Sequence, residues 1–151
     1  MTPKVHFRGS LPCQVLVVGE SPGISGRTTK VPFAPMDPAG SVLQNILNQS
    51  IGKKSYGITT AVACTPYNEQ QNGIVAPSGT AITACSLRVE ELINIAEPEY
   101  IIAAGKVAAK QLSKLGYEFL EIQHPTKIAS QGDKGYVDLK RCILQIREYI
   151  N

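Results

Sequence analysis

No C-x-x-C pair occurs in this 151-residue chain, although cysteines stand at positions 13, 64, 85 and 142. Without that pairing the bland expectation is buried free thiols in a reducing compartment. No uninterrupted apolar stretch approaches the roughly 20 residues needed to span a bilayer, and no basic segment followed by an apolar one opens the chain. A soluble, cytoplasmic protein with no membrane partner is therefore expected. The glycine-rich segment ending Gly26-Arg27-Thr28-Thr29 lacks the G-K-[ST] of a nucleotide-phosphate loop, which would supply a lysine and a magnesium-binding hydroxyl. Internal repeats and low-complexity tracts are absent as well. The charge imbalance is small, +3 with a pI of about 8.7. Such an excess permits contact with nucleic acid without indicating it.

What is present fits one compact domain over residues 1–151, since 43% apolar content at this length can bury an independent core. Strand-like runs appear at Gln14 to Val18, Tyr56 to Val62, Tyr100 to Ala104 and Phe119 to Gln123. Between and after them lie helix-like patterns. Ser41 to Asn48 carries Val42, Leu43, Ile46 and Leu47, and Thr80 to Ala96 carries Leu87, Leu92 and Ile95. Val107 to Leu115 and Val137 to Ile150 follow, the last with Leu139, Ile143, Ile146 and Ile150. Pro98 before the third strand and Gly116 after the third helix act as stop signals. The alternating order predicts an α/β domain, a three-layer α/β/α arrangement around a four-stranded, mainly parallel sheet.

Three connections are longer than simple turns: Gly19 to Gly40, Ala63 to Gly79 and His124 to Gly135. Long loops in a compact domain usually carry function. The first directly follows the apolar run Val15-Leu16-Val17-Val18, which places it at the carboxyl edge of the sheet, where open α/β folds bind ligands. Its Gly19-Glu20-Ser21-Pro22-Gly23 formally matches the G-x-S-x-G nucleophile elbow, with His124 downstream. The chemistry fails at Pro22, because the residue after the nucleophile must donate a backbone N–H to the oxyanion and proline has none. No helix-forming segment follows Gly23 either.

Five segments in order carry a resemblance to the uracil-DNA glycosylase superfamily, on the side of its family 4 branch. Val17-Val18-Gly19-Glu20-Ser21-Pro22-Gly23 resembles V-G-E-x-P-G. Val31-Pro32-Phe33 and Ala39-Gly40-Ser41-Val42-Leu43 resemble the P-F and A-G-x-x-L continuation. Ile58-Thr59-Thr60-Ala61-Val62-Ala63-Cys64-Thr65-Pro66 resembles I-T-N-x-x-K-C-x-P. Pro98 to Ala108 is similar to P-x-x-I-x-x-L-G-x-x-A, and His124-Pro125-Thr126 resembles H-P-S.

The resemblance implies that a nucleotide is flipped out of single- or double-stranded DNA and the bond joining base to deoxyribose is cleaved. That reaction leaves negative charge on the base and an oxocarbenium-like sugar, so a donor and a carboxylate or oriented water are required. His124, beginning a loop after a strand, is the candidate donor; the alternative is a loop histidine bonding locally. Glu20 is the candidate carboxylate, with a structural hydrogen bond to loop amides as its alternative. Phe33 is positioned to stack on the base, or else belongs to the core. Gly19, Ser21, Pro22, Gly23 and Thr60 would line the base pocket, unless the glycine loop is an ordinary tight turn. Pro125, Thr126, Lys127, Ser130 and Gln131 would meet the DNA backbone, or be ordinary exposed polar loop.

The chain also departs from the pattern. Ser21 stands where relatives that excise uracil place an acid or Asn, and Thr60 stands where the uracil-reading Asn ends its strand. One hydroxyl cannot reproduce an amide's paired contacts. Of the four cysteines that hold an iron–sulfur cluster in family 4, Cys64 and Cys85 match two, whereas Cys13 replaces the N-terminal pair and Cys142 falls in the last helix. No cofactor and no metal are expected. The reading is a monomeric DNA glycosylase acting on uracil or another deaminated or modified base. The competing reading is a catalytically silent relative that binds DNA, a nucleotide or a protein through the same pocket.

Overall fold

The computed structural model describes residues 7–20, 32–35, 37–62, 67–68, 73–74 and 78–151. Strand β2 (Val15–Gly19) is buried at every position, and β6 (Tyr100–Ala104) at all but its first. Runs apolar on both faces are what a parallel strand covered by helices on each side requires. Beside these two lie β3 (Tyr56–Thr60) and β7 (Leu120–Ile122), giving the parallel order β3-β2-β6-β7. A fifth strand, β1 (Phe7–Gly9), adds antiparallel to β3 with Arg8 opposite Ile58. The expected four parallel strands are therefore present, with one antiparallel edge strand too short for a periodicity of its own.

Two helical layers cover the sheet. Helix α1 (Pro38–Ser50) and α5 (Gly135–Ile150) bury Leu43, Ile46, Leu47, Ile143 and Ile146 against Val15, Val17, Ile58 and Ile102. On the other face α2 (Gly79–Ala96) and α3 (Lys106–Leu115) bury Val89, Ile93, Ala96, Ala108 and Leu112 against Leu16, Val18, Ile101 and Ala103. Alternate residues of β2 and β6 thus feed two cores, as the two-residue period of a strand demands.

The apolar stripe of α2 differs from the one expected. Leu87 and Ile95 are exposed, whereas Val89, Leu92, Ile93 and Ala96 are buried. Only the second set follows the i, i+3, i+4, i+7 spacing of one helical face. Helix α2 starts at Ser78, whose hydroxyl accepts a hydrogen bond from the Ala81 N–H at 3.1 Å, and α3 stops at Gly116, which has φ +85°. Both are ordinary capping devices.

The expected loop from His124 to Gly135 holds a short helix, α4 (Pro125–Ala129), and a turn of 3₁₀ helix at Gly132–Lys134. Proline at the first helical position is favourable, because its missing N–H would have had no partner there. Within the loop after β3, Tyr67–Asn68 (β4) and Gly73–Ile74 (β5) form a two-stranded antiparallel pair. Among the described residues no helix is long and apolar enough to cross a membrane.

Candidate active site

Every parallel strand ends at one edge. Helix α1, which follows β2, lies on one face of the sheet and α3, which follows β6, on the other. The chain therefore parts to opposite sides between two neighbouring strands, which is where open α/β sheets form their ligand crevice. Among the described residues this edge carries Gly19 at the end of β2, Glu20 after it, Thr60 at the end of β3, Gly105 after β6 and His124 just beyond β7.

His124 is the N-cap of α4, and its Nδ1 accepts a hydrogen bond from the Thr126 backbone N–H at 3.1 Å. An imidazole that accepts at Nδ1 carries its proton at Nε2 when neutral. The half-buried ring is poorly hydrated, and burial pushes its pKa below the ordinary histidine value. The group is therefore a neutral Nε2–H donor around pH 7. Its ring packs over Gly105, at φ +100°, where an added Cβ would stand 3.0 Å from His124 Cδ2. Glycine at this strand end lets the imidazole lie against the main chain.

Phe33 forms the opposite wall. Its half-buried ring rests on Gly19, whose Cβ, if present, would fall 2.6 Å from the ring Cζ. The ring centroid lies 5.8 Å from that of His124, at an interplanar angle of 42°. Phe33 also adopts φ +50°, a region a bulky side chain enters only when its surroundings impose it. Those surroundings are Arg8, which donates to the Pro32 and Phe33 carbonyls at 3.1 and 3.0 Å, and Gly40, where a Cβ would meet the Phe33 carbonyl at 2.6 Å.

Glu20 follows β2 directly and is half-buried, and desolvation raises its carboxyl pKa above the ordinary value. The backbone continues the β2–β3 ladder past the strand ends, with Ala61 N–H donating to Gly19 O at 2.7 Å and Val62 N–H to Glu20 O at 3.2 Å. An acid and an imidazole donor thus share this edge.

Thr60 is buried, and its hydroxyl donates to the Val62 carbonyl at 2.5 Å. That bond turns the hydroxyl hydrogen into the strand's own continuation. The Thr60 carbonyl accepts from Arg88 Nη2, and Arg88 Nη1 donates to Thr59 Oγ1 at 3.2 Å. Below it Gln111, buried on α3, donates from Nε2 to Ala61 O at 3.0 Å and Ile82 O at 3.2 Å. Long side chains from α2 and α3 therefore fasten the end of β3.

Along α4, Thr126, Lys127 and Ser130 are exposed, whereas Pro125 is buried and Gln131 half-buried. Pro125 therefore shapes the turn from beneath and presents little surface to a partner. Ser21, Pro22 and Gly23 lie outside the described residues, as does Cys64. Arg8, Gly40 and Gly105 shape this site in addition to the residues expected from sequence. For Gly105 the signal was present, a glycine directly after a buried strand; for Arg8 no local pattern exists, because its partners are 24 to 36 residues away.

Cys13 and Cys142 do not suit a shared cluster. Cys13 is buried in the core on the α2–α3 side of the sheet and Cys142 in the core on the α1–α5 side. Burial raises the pKa of both thiols. Ligands to one cluster must converge within bonding reach, and the intervening sheet separates these two.

The open edge of this α/β sheet thus carries a glycine-seated aromatic, a carboxylate and a neutral histidine donor. The family model of the uracil-DNA glycosylase superfamily matches residues 7–147, and the chain belongs to that superfamily. It is 30% identical over 124 residues to the type-4 uracil-DNA glycosylase of Sulfurisphaera tokodaii, covering 80% of this chain and 53% of that protein. Against the type-4 uracil-DNA glycosylase of Pyrobaculum aerophilum the identity is 32% over 112 residues, 74% of this chain and 54% of the other. The chain spans about half the length of the curated relatives it matches.

Proposed function

We propose that this chain is a monomeric, cytoplasmic DNA glycosylase domain that hydrolyses the N-glycosidic bond of a flipped uracil or another deaminated or modified base. The observation that carries the reading is the Thr126 N–H to His124 Nδ1 bond, which fixes a neutral Nε2–H donor beside Phe33 at the sheet edge. Superfamily membership and the names of the two relatives point the same way.

In this mechanism the base leaves the stack, because the bond to be cut is inaccessible in the duplex. Phe33 meets it, and Gly19 lets it approach the backbone closely. As the C1′–N bond breaks, its electron pair passes to the base, and Nε2–H of His124 donates to the base oxygen where that charge gathers. Positive charge develops on the sugar at the same time. Glu20, half-buried and costly to ionise in the empty site, is stabilised when that cation forms, so its interaction strengthens toward the transition state. Water then adds its oxygen to C1′ and gives up a proton that the departed base anion takes up, completing hydrolysis. Thr126, Lys127 and Ser130 hold the phosphates on either side. No resident iron–sulfur cluster takes part in this proposal.

With the Thr60 hydroxyl donating to Val62 O, it is not available to donate to a base, and preference for uracil is weak. Base release from labelled single- and double-stranded oligonucleotides tests the reading. The substrates carry uracil, hydroxymethyluracil, hypoxanthine, xanthine or a T·G mismatch. Cleavage after alkali at any of them supports it and names the substrate. Measurable binding without cleavage would replace it with the catalytically silent pocket.

A further inference from the structure

We infer that Arg8 is a positioning residue of the site: from the edge strand β1 it holds the Pro32–Phe33 turn, and through it the aromatic wall that faces His124. The inference rests on the glycosylase reading for what Phe33 does, and on geometry alone for what Arg8 does.

The guanidinium is used along three directions. Nε donates to the Pro32 carbonyl at 3.1 Å, Nη2 to the Phe33 carbonyl at 3.0 Å and Nη1 to Gln44 Oε1 at 2.9 Å. Gln44 is itself oriented by donating from Nε2 to Tyr56 Oη at 3.1 Å and to Asn48 Oδ1 at 2.9 Å. One planar fork therefore ties β1 to α1, to β3 through Tyr56, and to two successive carbonyls of the loop. A lysine, with a single compact ammonium on a flexible stem, has no such fixed fork.

What those bonds hold is a strained residue. Phe33 at φ +50° sits where a bulky side chain is uncommon, and its ring lies against Gly19 in that conformation. Strained backbone persists only when its surroundings over-determine it. Gly40 supplies a close floor beneath the Phe33 carbonyl, and Arg8 supplies the hydrogen bonds that fix its direction. Without Arg8 the two carbonyls lose their donors, φ relaxes toward the common regions, and the ring leaves Gly19. Misplacement of this size in a positioning group lowers a reaction rate without removing any reacting atom.

A double-mutant cycle and one spectroscopic readout test this. Arg8→Met should lower kcat/KM about 10- to 100-fold in the otherwise native chain, with little further loss when Phe33→Ala is already present. Arg8→Lys should recover part of the loss. Independently of activity, the nuclear Overhauser contact between the Phe33 ring and the Gly19 Hα should be strong in the native protein, weaker in Arg8→Lys and absent in Arg8→Met. A contact that persists in a folded Arg8→Met protein, or costs of Arg8→Met and Phe33→Ala that simply add, would overturn the assignment. If Arg8→Met does not fold, Arg8→Lys decides: native activity together with a native contact sinks the proposal. If the native chain releases no base from any substrate, the glycosylase reading falls while the Overhauser comparison still judges Arg8.

Discussion

The rings of Phe33 and His124 lie 5.8 Å apart and tilted by 42°, one seated on Gly19 at the end of β2 and the other on Gly105 just beyond β6. A tilt of this size is neither offset-stacked nor edge-to-face, so neither ring covers the other. Gly19 ends β2 and Gly105 directly follows β6, the pair between which the chain parts to opposite faces. Both candidate contacts to a base are thus seated on main chain at one edge of the sheet.

His124→Ala removes the Nε2–H donor and the N-cap of α4. Base release is expected to fall about 10²-fold or more, with affinity for a substrate oligonucleotide changed far less. Single-turnover rates beside equilibrium binding separate the two effects. An equal loss in both would make His124 a binding residue only.

Acid should inactivate without a matching alkaline limb from these two groups. Glu20 must be ionised and its pKa is raised, whereas His124 must be neutral and its pKa is lowered. Both conditions are met as pH rises, so the rate climbs from acid pH to a plateau. Because the unfolded chain binds a proton at His124 more readily than the folded one, this group's contribution to stability is full above about pH 6.5 and is lost as pH falls through the lowered folded value. Glu20 acts in the opposite sense: its contribution is full at acid pH and declines as pH rises through its raised value. An NMR titration placing His124 above the ordinary value would contradict the acid limb.

Gly19→Ala and Gly40→Ala should fail differently. At Gly19 a new Cβ lands on the far end of the Phe33 ring, which can swing away; at Gly40 it lands on the Ala34 carbonyl, which is backbone. Gly19→Ala is expected to cost activity with under about 1 kcal/mol of stability, and Gly40→Ala about 1–3 kcal/mol by overpacking. Thermal unfolding with base-release rates on both variants checks the contrast.

Cys142→Ala should behave as a core truncation, costing about 1–3 kcal/mol, and should leave base release unchanged at temperatures where the variant is folded. Iron and acid-labile sulfide measured per purified chain should be far below a full cluster. Stoichiometric iron lost with Cys142→Ala would contradict the placement of Cys13 and Cys142 on opposite sides of the sheet.

Most of the frame was legible because its signals are local. The buried runs of β2 and β6, the stripes of α1 and α5, and stops such as Gly116 are each written within one turn or one strand. The stripe of α2 was misread, since Leu87 and Leu92 are five residues apart and point to different sides of a helix. Strand β1 and helix α4 went unseen because three and five residues hold too little periodicity to register.

By itself the sequence determined the parallel α/β class, the five family motifs in order and the strand-end position of Gly19, Glu20 and His124, because hydrophobic period and glycine placement act over a few residues. Only the tertiary structure decided which nitrogen of His124 carries the proton, that Phe33 is held at φ +50° by Arg8, that Thr60 spends its hydroxyl on Val62, and that a sheet separates Cys13 from Cys142. These depend on hydrogen-bond partners and layers brought together across the fold, and with the exception of the two close backbone bonds at His124 and Thr60, no short-range pattern encodes them.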